Sequence, residues 1–269
     1  MKLSEAIALL KKNGVPDAKR DAMEIFEKKG NIRKSEMLIG DVECSDSDVI
    51  CAVKERAERK PLQYILGKVY FYNEEYEVDE NCLIPRSDTE ILVDYAVKNI
   101  PQNERFLDLC TGSGCVGIST LKNTRDTTAV LVDISHGAID IAKRNAKLNG
   151  VLERAEFLQK DVTADAVCGE YFAVLSNPPY VTDSAYETLE GEIYFEPKIA
   201  FVGGTDGADF YRKITPLYKN IIKKGGFIAY EIGFDQGEIL KNIAEEECMT
   251  CEIIKDFSGN DRVAVLKNK

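Results

Sequence analysis

The sequence predicts an α/β fold in which a seven-stranded, mostly parallel sheet follows a small N-terminal helical bundle and a linking β-hairpin. Three observations predict it. Strand-like and helix-like segments alternate after Pro101, and such alternation calls for a parallel sheet covered on both faces. The N-terminal quarter carries apolar residues at helical spacing only. The last two strand-like runs are joined by a turn too short for a crossover, so they must pair antiparallel.

The bundle comes first. Leu3, Ala6, Ile7 and Leu10 lie on one helical face, and Asn13-Gly14 breaks the pattern. Pro16 can open a second helix carrying Ala18, Ala22, Ile25 and Phe26, which stops near Lys29-Gly30-Asn31. Ser47 is the expected N-cap of a third, with Val49, Ile50, Val53 and Ala57 on one face. Helices this short are not stable singly and should pack on one another. Val69-Tyr70-Phe71-Tyr72 and Glu75-Tyr76-Glu77-Val78, split by Asn73-Glu74, then form the hairpin. The expected division is residues 1–75 for the bundle, 76–100 for the hairpin and linker, and 101–269 for the sheet domain.

Within the sheet domain the first strand is Arg105-Phe106-Leu107-Asp108-Leu109, followed by a glycine-rich turn and a helix. Ala129-Val130-Leu131-Val132-Asp133 is the second, after which Ser135 caps a helix that Gly150 ends. Glu156-Phe157-Leu158, Phe172-Ala173-Val174-Leu175 and Phe227-Ile228-Ala229-Tyr230 are the third, fourth and fifth. Residues 251–257 and 262–266 form the antiparallel pair about Ser258-Gly259-Asn260-Asp261.

Charge narrows the partners. The net charge of the 269 residues is −11, yet the first 75 hold 14 basic and 14 acidic side chains, so the whole excess lies after them. An acidic sheet domain is poorly suited to a partner bound through its phosphates, and no direct nucleic-acid contact is expected. Of eight cysteines only Cys248 and Cys251 have metal or redox spacing, and His136 is the sole histidine, so no metal site is expected. Free thiols in this number suit a reducing cytosol. Glu5 places an acid too early for a signal peptide, and no apolar run approaches the ~18 residues of a membrane span. The expectation is a cytoplasmic monomer with no membrane association.

Ligands of open α/β sheets bind at the carboxyl ends of the strands, beside a topological switch. The first such end here is Asp108-Leu109-Cys110-Thr111-Gly112-Ser113-Gly114. Residues 112–117 also spell G-x-G-x-x-G, and Asp133 follows about 20 residues on, as in a dinucleotide site. Three features favour S-adenosylmethionine instead. Asp108 precedes the glycines, which suits a cationic ligand and would repel a pyrophosphate. Asp161, read as the end of the third strand, could accept from an adenine amino group. The strongest catalytic candidate, after the fourth strand, offers nothing that hydride transfer needs.

That candidate is Asn177-Pro178-Pro179-Tyr180. In isolation Asn-Pro-Pro is ordinary turn chemistry. At a strand's carboxyl end, beside a cofactor loop, it can hold a planar NH₂ group. The Asn177 side-chain oxygen accepts one N–H and the Pro178 carbonyl the other, while the prolines fix the backbone. Tyr180 can supply a flat wall. The acceptors aim the nitrogen at a methyl donor and stabilise the positive charge that develops on it.

Residues 83–90 (Leu-Ile-Pro-Arg-Ser-Asp-Thr-Glu), 108–114, 177–180, Phe195-Glu196-Pro197 and Gly203-Gly204-Thr205-Asp206-Gly207 occur together and in this order. The chain thereby resembles the PrmC/HemK family of release factor glutamine N5-methyltransferases over nearly its whole length. The resemblance implies a Rossmann-like class I S-adenosylmethionine-dependent methyltransferase. It implies that Cys110, Thr111, Gly112, Ser113, Gly114, Asp133, Asp161 and Val162 line the cofactor site, with Asp108 and Asn177 beside them. It implies that Asn177, Pro178, Pro179 and Tyr180 bind the target, a glutamine in the Gly-Gly-Gln loop of class 1 peptide chain release factors, and that the bundle recognises that partner. Cys110 stands where many members have Gly, Ser87 where many have Pro, and Val162 where an aromatic residue is common. The rivals are an adenine-N6 DNA methyltransferase, which shares the Asn-Pro-Pro-Tyr turn but usually needs a basic channel, and a binding module, which should show a broken cofactor loop.

Overall fold

The computed structural model describes residues 1–189 and 191–269. It divides into two compact units. The first is Met1–Lys68 with residues 191–195, and the second is Val69–Leu189 with Glu196–Lys269.

Five helices build the first unit: α1 (Leu3–Lys12), α2 (Ala18–Lys28), α3 (Lys34–Ile39), α4 (Ser47–Ala57) and α5 (Leu62–Leu66). The apolar faces read from the sequence meet in one core that includes Leu3, Leu10, Ala22, Ile25, Phe26, Val49 and Val53. The α4 cap falls one residue before the expected Ser47: the Asp46 carboxylate accepts from the Asp48 N–H at 2.8 Å. Arg56 and Asp21 form a buried ion pair across α4 and α2, with Nε to Oδ2 at 2.8 Å.

The hairpin is β1 (Lys68–Phe71) and β2 (Glu74–Glu77). Its turn is Tyr72-Asn73, one residue earlier than expected, and both residues have positive φ, 50° and 67°. That geometry matches the twist of the two strands, which explains why a two-residue turn can join them. The hairpin belongs to the second unit from Val69 onward, because Phe71 and Tyr76 pack in the sheet core and the Tyr76 hydroxyl meets Ser119 Oγ at 2.6 Å. The expected boundary at residue 75 therefore moves back to Lys68. Residues 76–100 are no linker: after β2 they contain α6 (Glu90–Asn99), which packs on the sheet through Leu92, Val93 and Ala96.

The sheet contains β3 (Arg105–Leu109), β4 (Thr128–Asp133), β5 (Ala155–Gln159), β6 (Tyr171–Ser176), β7 (Ile222–Glu231), β8 (Met249–Lys255) and β9 (Asp261–Asn268), in the order β5-β4-β3-β6-β7-β9-β8. The first five are parallel, and β9 runs antiparallel to both β7 and β8. Between them lie α7 (Cys115–Asn123), α8 (His136–Leu148), α9 (Asp183–Tyr186), α10 (Asp209–Tyr218) and α11 (Gly237–Glu246). Successive strand residues point to opposite faces. Phe106, Leu131, Leu175 and Phe227 meet α6, α7 and α8 on one side. Leu107, Val130, Val174 and Ile228 meet α10 and α11 on the other. Burial on both faces is why these strands read as unbroken apolar runs. The chain leaves β3 toward β4 on one side and returns to place β6 on the other, so the strand order reverses between β3 and β6.

Candidate active site

A pocket opens at that reversal, over the carboxyl ends of the parallel strands, where such sheets bind their ligands. One wall is the turn from β3 into α7. Cys110, Gly112 and Gly114 all have positive φ (58°, 54° and 83°), which folds the chain tightly back on itself. Cys110 accepts this left-handed backbone despite its Cβ, a conformation that costs about 1–3 kcal/mol in a non-glycine residue. Burial holds its thiol well above the ordinary range, so it stays protonated and unreactive.

Asp108 is placed differently from the sequence reading. Its carboxylate is buried and does not line the pocket. Oδ2 accepts from the Thr111 hydroxyl at 2.5 Å and from the Gly117 N–H at 2.9 Å. It ties the turn to the first turn of α7 and is no partner for a cation in the pocket. Burial pushes its pKa up to about 7.

Asp133 ends β4 on the pocket wall. Oδ2 accepts from the Gly112 N–H and Oδ1 from the Ser135 N–H, each at 2.9 Å. Burial raises its pKa, against the pull of these backbone donors. Asp161 and Val162 also line the pocket, but β5 ends at Gln159, so Asp161 lies in the following turn and not at the strand end. Oδ1 of Asp161 accepts from the Thr163 hydroxyl at 2.7 Å and the Thr163 N–H at 2.9 Å, which lowers its pKa and keeps it ionised.

The opposite wall starts where β6 ends. Asn177 and Pro179 line the pocket, whereas Pro178 is buried behind them. Asn177 Nδ2 donates to Thr89 Oγ1 at 3.2 Å, which commits its NH₂ side and leaves its carbonyl oxygen as the group to offer a ligand. Tyr180 turns out of the pocket lining: its hydroxyl donates to Glu231 Oε1 at 3.1 Å, and its backbone carbonyl accepts from Gln236 Nε2 at 3.1 Å. The flat wall expected from Tyr180 is thus replaced by a role in bracing the turn. Glycines permit that bracing, since a Cβ on Gly203 would strike the Pro179 carbonyl and one on Gly207 the Tyr180 carbonyl.

Four residues of this site had no assigned role in the sequence. Thr89, Glu231 and Gln236 hold the turn, and the buried Glu196 accepts from the Ile84 N–H at 2.9 Å and pairs with Arg86 on the pocket rim. The available signal for Glu231 was its place as an acid at the carboxyl end of a strand. For Thr89 and Glu196 it was membership of the motif segments.

The lining fits S-adenosylmethionine. A Cβ added to Gly112 would project into open space, so the loop leaves room for a ligand against its backbone. Ser113 Oγ is buried with no hydrogen-bond partner among the described residues, and Asp133 supplies a carboxylate at the β4 end. Among the described residues no group of three or more His, Cys, Asp or Glu side chains is placed to hold a metal ion. No helix among them is long and apolar enough to cross a membrane.

This fold and site define a class I S-adenosylmethionine-dependent methyltransferase. Residues 2–67 match the PrmC N-terminal domain and residues 87–194 the methyltransferase small domain. The release factor glutamine methyltransferase of Clostridium acetobutylicum is 39% identical over 219 residues, 79% of this chain and 77% of that protein. Its counterpart in Fusobacterium nucleatum is 33% identical over 274 residues, spanning 98% of this chain and 77% of the relative. The chain belongs to the release factor glutamine methyltransferase family. The fold is shared more widely: the ribosomal protein L11 methylase of Lactobacillus delbrueckii subsp. bulgaricus superimposes with a TM-score of 0.52 at 17% identity, covering 71% of this chain and 84% of that one.

Proposed function

We propose that this chain transfers the methyl group of S-adenosylmethionine to the side-chain amide nitrogen of the glutamine in the Gly-Gly-Gln loop of class 1 peptide chain release factors. It acts in the cytoplasm, as a monomer and without direct nucleic-acid contact. The observation that carries this reading is the polarity of Asn177: its NH₂ is engaged by Thr89, so an acceptor faces the pocket. An acceptor there suits a donor substrate, and a glutamine amide offers two N–H groups.

When bound, the cofactor supplies a methyl group already activated on a sulfonium, so no metal or protein nucleophile is required. Asn177 Oδ1 would accept one of the two substrate N–H groups, which directs the nitrogen toward the methyl donor, while Pro178, expected to offer its carbonyl, stands behind the pocket wall and stiffens the turn. The Asn177 oxygen also favours the positive charge that grows on that nitrogen. The extra proton then leaves to water. Asp133, Asp161 and Val162 would hold the cofactor, the two carboxylates as acceptors for its hydroxyl and amino groups and Val162 as an apolar contact.

Incubation with methyl-labelled cofactor tests this. The expected outcome is one added methyl group on the glutamine of an intact release factor, found by mass spectrometry of its peptides. Label appearing in adenine-containing DNA, with none in the release factor, would overturn the reading.

A further inference from the structure

S-adenosylmethionine carries its charges at one end: a sulfonium, then an ammonium and a carboxylate on the amino-acid chain. A carboxylate that leaves water for a pocket needs a charged or hydrogen-bonding partner there. Among the described residues that line the pocket, only Arg86 and Lys160 are cationic. Lys160 follows the end of β5, and its Nζ donates to the Ala166 carbonyl at 3.1 Å. It adjoins Asp161, at the edge of the sheet, with Asp133 at the end of the neighbouring β4. With Asp133 and Asp161 as acceptors for hydroxyl and amino groups of the cofactor, this half of the pocket takes the adenosine.

Arg86 stands in the other half. Its backbone carbonyl accepts from the Thr89 N–H at 3.1 Å, and the Thr89 hydroxyl accepts from Asn177 Nδ2 at 3.2 Å, just past the end of β6. β4 and β3 separate β6 from β5, which puts the two ends about 14 Å apart over three strand spacings. Arg86 is therefore on the side where the methyl group is delivered, and the amino-acid chain starts from the sulfur that carries that methyl. Its guanidinium is only partly used. Nη2 donates to Glu196, whose side chain is 3% exposed and also accepts from the Ile84 N–H at 2.9 Å. Arg86 makes no other hydrogen bond among the described residues, and its side chain is 41% exposed. A guanidinium offers five N–H donors in a planar fork that matches a carboxylate, so most of them are left for a ligand. One guanidinium can serve two carboxylates: Arg56 holds Asp21 through Nε at 2.8 Å and Glu192 through Nη2 at 3.0 Å.

We propose that Arg86 binds the carboxylate of the cofactor's amino-acid chain, with Glu196 as the positioning residue that holds the guanidinium at the pocket wall. This rests on the reading of the pocket as an S-adenosylmethionine site with its adenosine toward Asp133 and Asp161. Glu196 also answers an electrostatic problem. The sulfonium and ammonium would be repelled by an isolated guanidinium, and the carboxylate paired with it offsets that repulsion. The fork then selects a ligand by its carboxylate and not by net charge.

The test measures binding by calorimetry with the full chain, the variants Arg86→Gln and Arg86→Lys, and two ligands. One ligand is S-adenosylmethionine. The other is decarboxylated S-adenosylmethionine, which keeps the adenosine, sulfonium and ammonium and lacks only the carboxylate. Arg86→Gln should weaken S-adenosylmethionine binding by roughly 10- to 100-fold, the range expected for losing hydrogen bonds between charged groups. The decarboxylated ligand should bind Arg86→Gln at least as tightly as it binds the wild type, since a cation facing a cationic ligand has been removed. Arg86→Lys keeps the charge but not the fork, so its loss should fall between. Equal losses on both ligands would mean that Arg86 only shapes the rim, and would overturn the proposal. Unchanged S-adenosylmethionine affinity in Arg86→Gln would overturn it too, and a raised KM for the release factor in that variant would assign the guanidinium to the substrate. Should Arg86→Gln not fold, Arg86→Lys and the wild type decide: a wild type that binds both ligands equally well, or a Lys variant weakened equally toward both, overturns the assignment. If Asp133→Ala weakens both ligands while Arg86→Gln spares both, the cofactor site stands and Arg86 alone has failed. If the wild type binds neither ligand, the reading beneath has failed and the assignment falls with it.

Discussion

The Gly117 N–H donates to Asp108 Oδ2 at 2.9 Å, and a Cβ on Gly117 would lie 2.8 Å from the same oxygen. The third glycine of the G-x-G-x-x-G run is therefore needed for a buried carboxylate and not for a pyrophosphate. Burial raises the folded-state pKa of Asp108 to about 7, against 3.8 for an ordinary Asp. Below the lower value the group is protonated in both states and its contribution to stability is full. As pH rises toward the upper value the unfolded chain gives up a proton that the folded chain retains, so that contribution is lost. Relative to Asp108→Asn, the wild type should lose up to about 4 kcal/mol over this window. Urea unfolding of both proteins across that pH range measures it. Parallel profiles would mean that the carboxyl does not titrate as its burial requires.

Asn177→Ala removes the acceptor that faces the pocket. Turnover should fall by about 10²–10³, as when one preorganised contact to a developing charge is lost. S-adenosylhomocysteine affinity should hardly change, because Asn177 is assigned to the substrate amide. Single-turnover methylation and calorimetry on the same preparation separate the two effects. A near wild-type kcat would remove Asn177 from the chemistry.

Asp133→Ala should give the opposite signature. Its carboxylate is assigned to ribose hydroxyls and already anchors Gly112 and Ser135. Charge-assisted bonds of this kind contribute roughly 1.5–3 kcal/mol each, so S-adenosylhomocysteine affinity should drop about 10-fold or more. Calorimetry decides, and unchanged affinity would place the ribose elsewhere.

Truncation separates recognition from chemistry, and the structure sets where to cut. A deletion through residue 75 would remove Phe71 and Glu74, which are buried in the sheet unit, so residues 1–68 are the part to delete. The remaining unit should fold and bind S-adenosylhomocysteine. If the bundle recognises the release factor, kcat/KM should collapse for the intact protein and change far less for a short Gly-Gly-Gln peptide. Equal losses on both, with the truncated protein verified as folded, would assign the bundle to support of the active site.

The sequence by itself determined the sheet, because burial of both faces leaves continuous apolar runs such as Phe106-Leu107 and Ala173-Val174-Leu175 that few other structures tolerate. It also determined the two loops at the strand ends, because glycines and prolines restrict the backbone locally and carry that information without a partner. Only the tertiary structure decided what the side chains of those loops touch. Asp108 faces Gly117 rather than the pocket, Tyr180 faces Glu231 rather than a substrate, and the hairpin packs with the sheet through Tyr76. The partners of Asn177 and Tyr180, Thr89 and Glu231, lie 88 and 51 residues away along the chain. Hydrogen bonds across such separations depend on how β6, β7 and the start of α6 come together, and no local pattern encodes them.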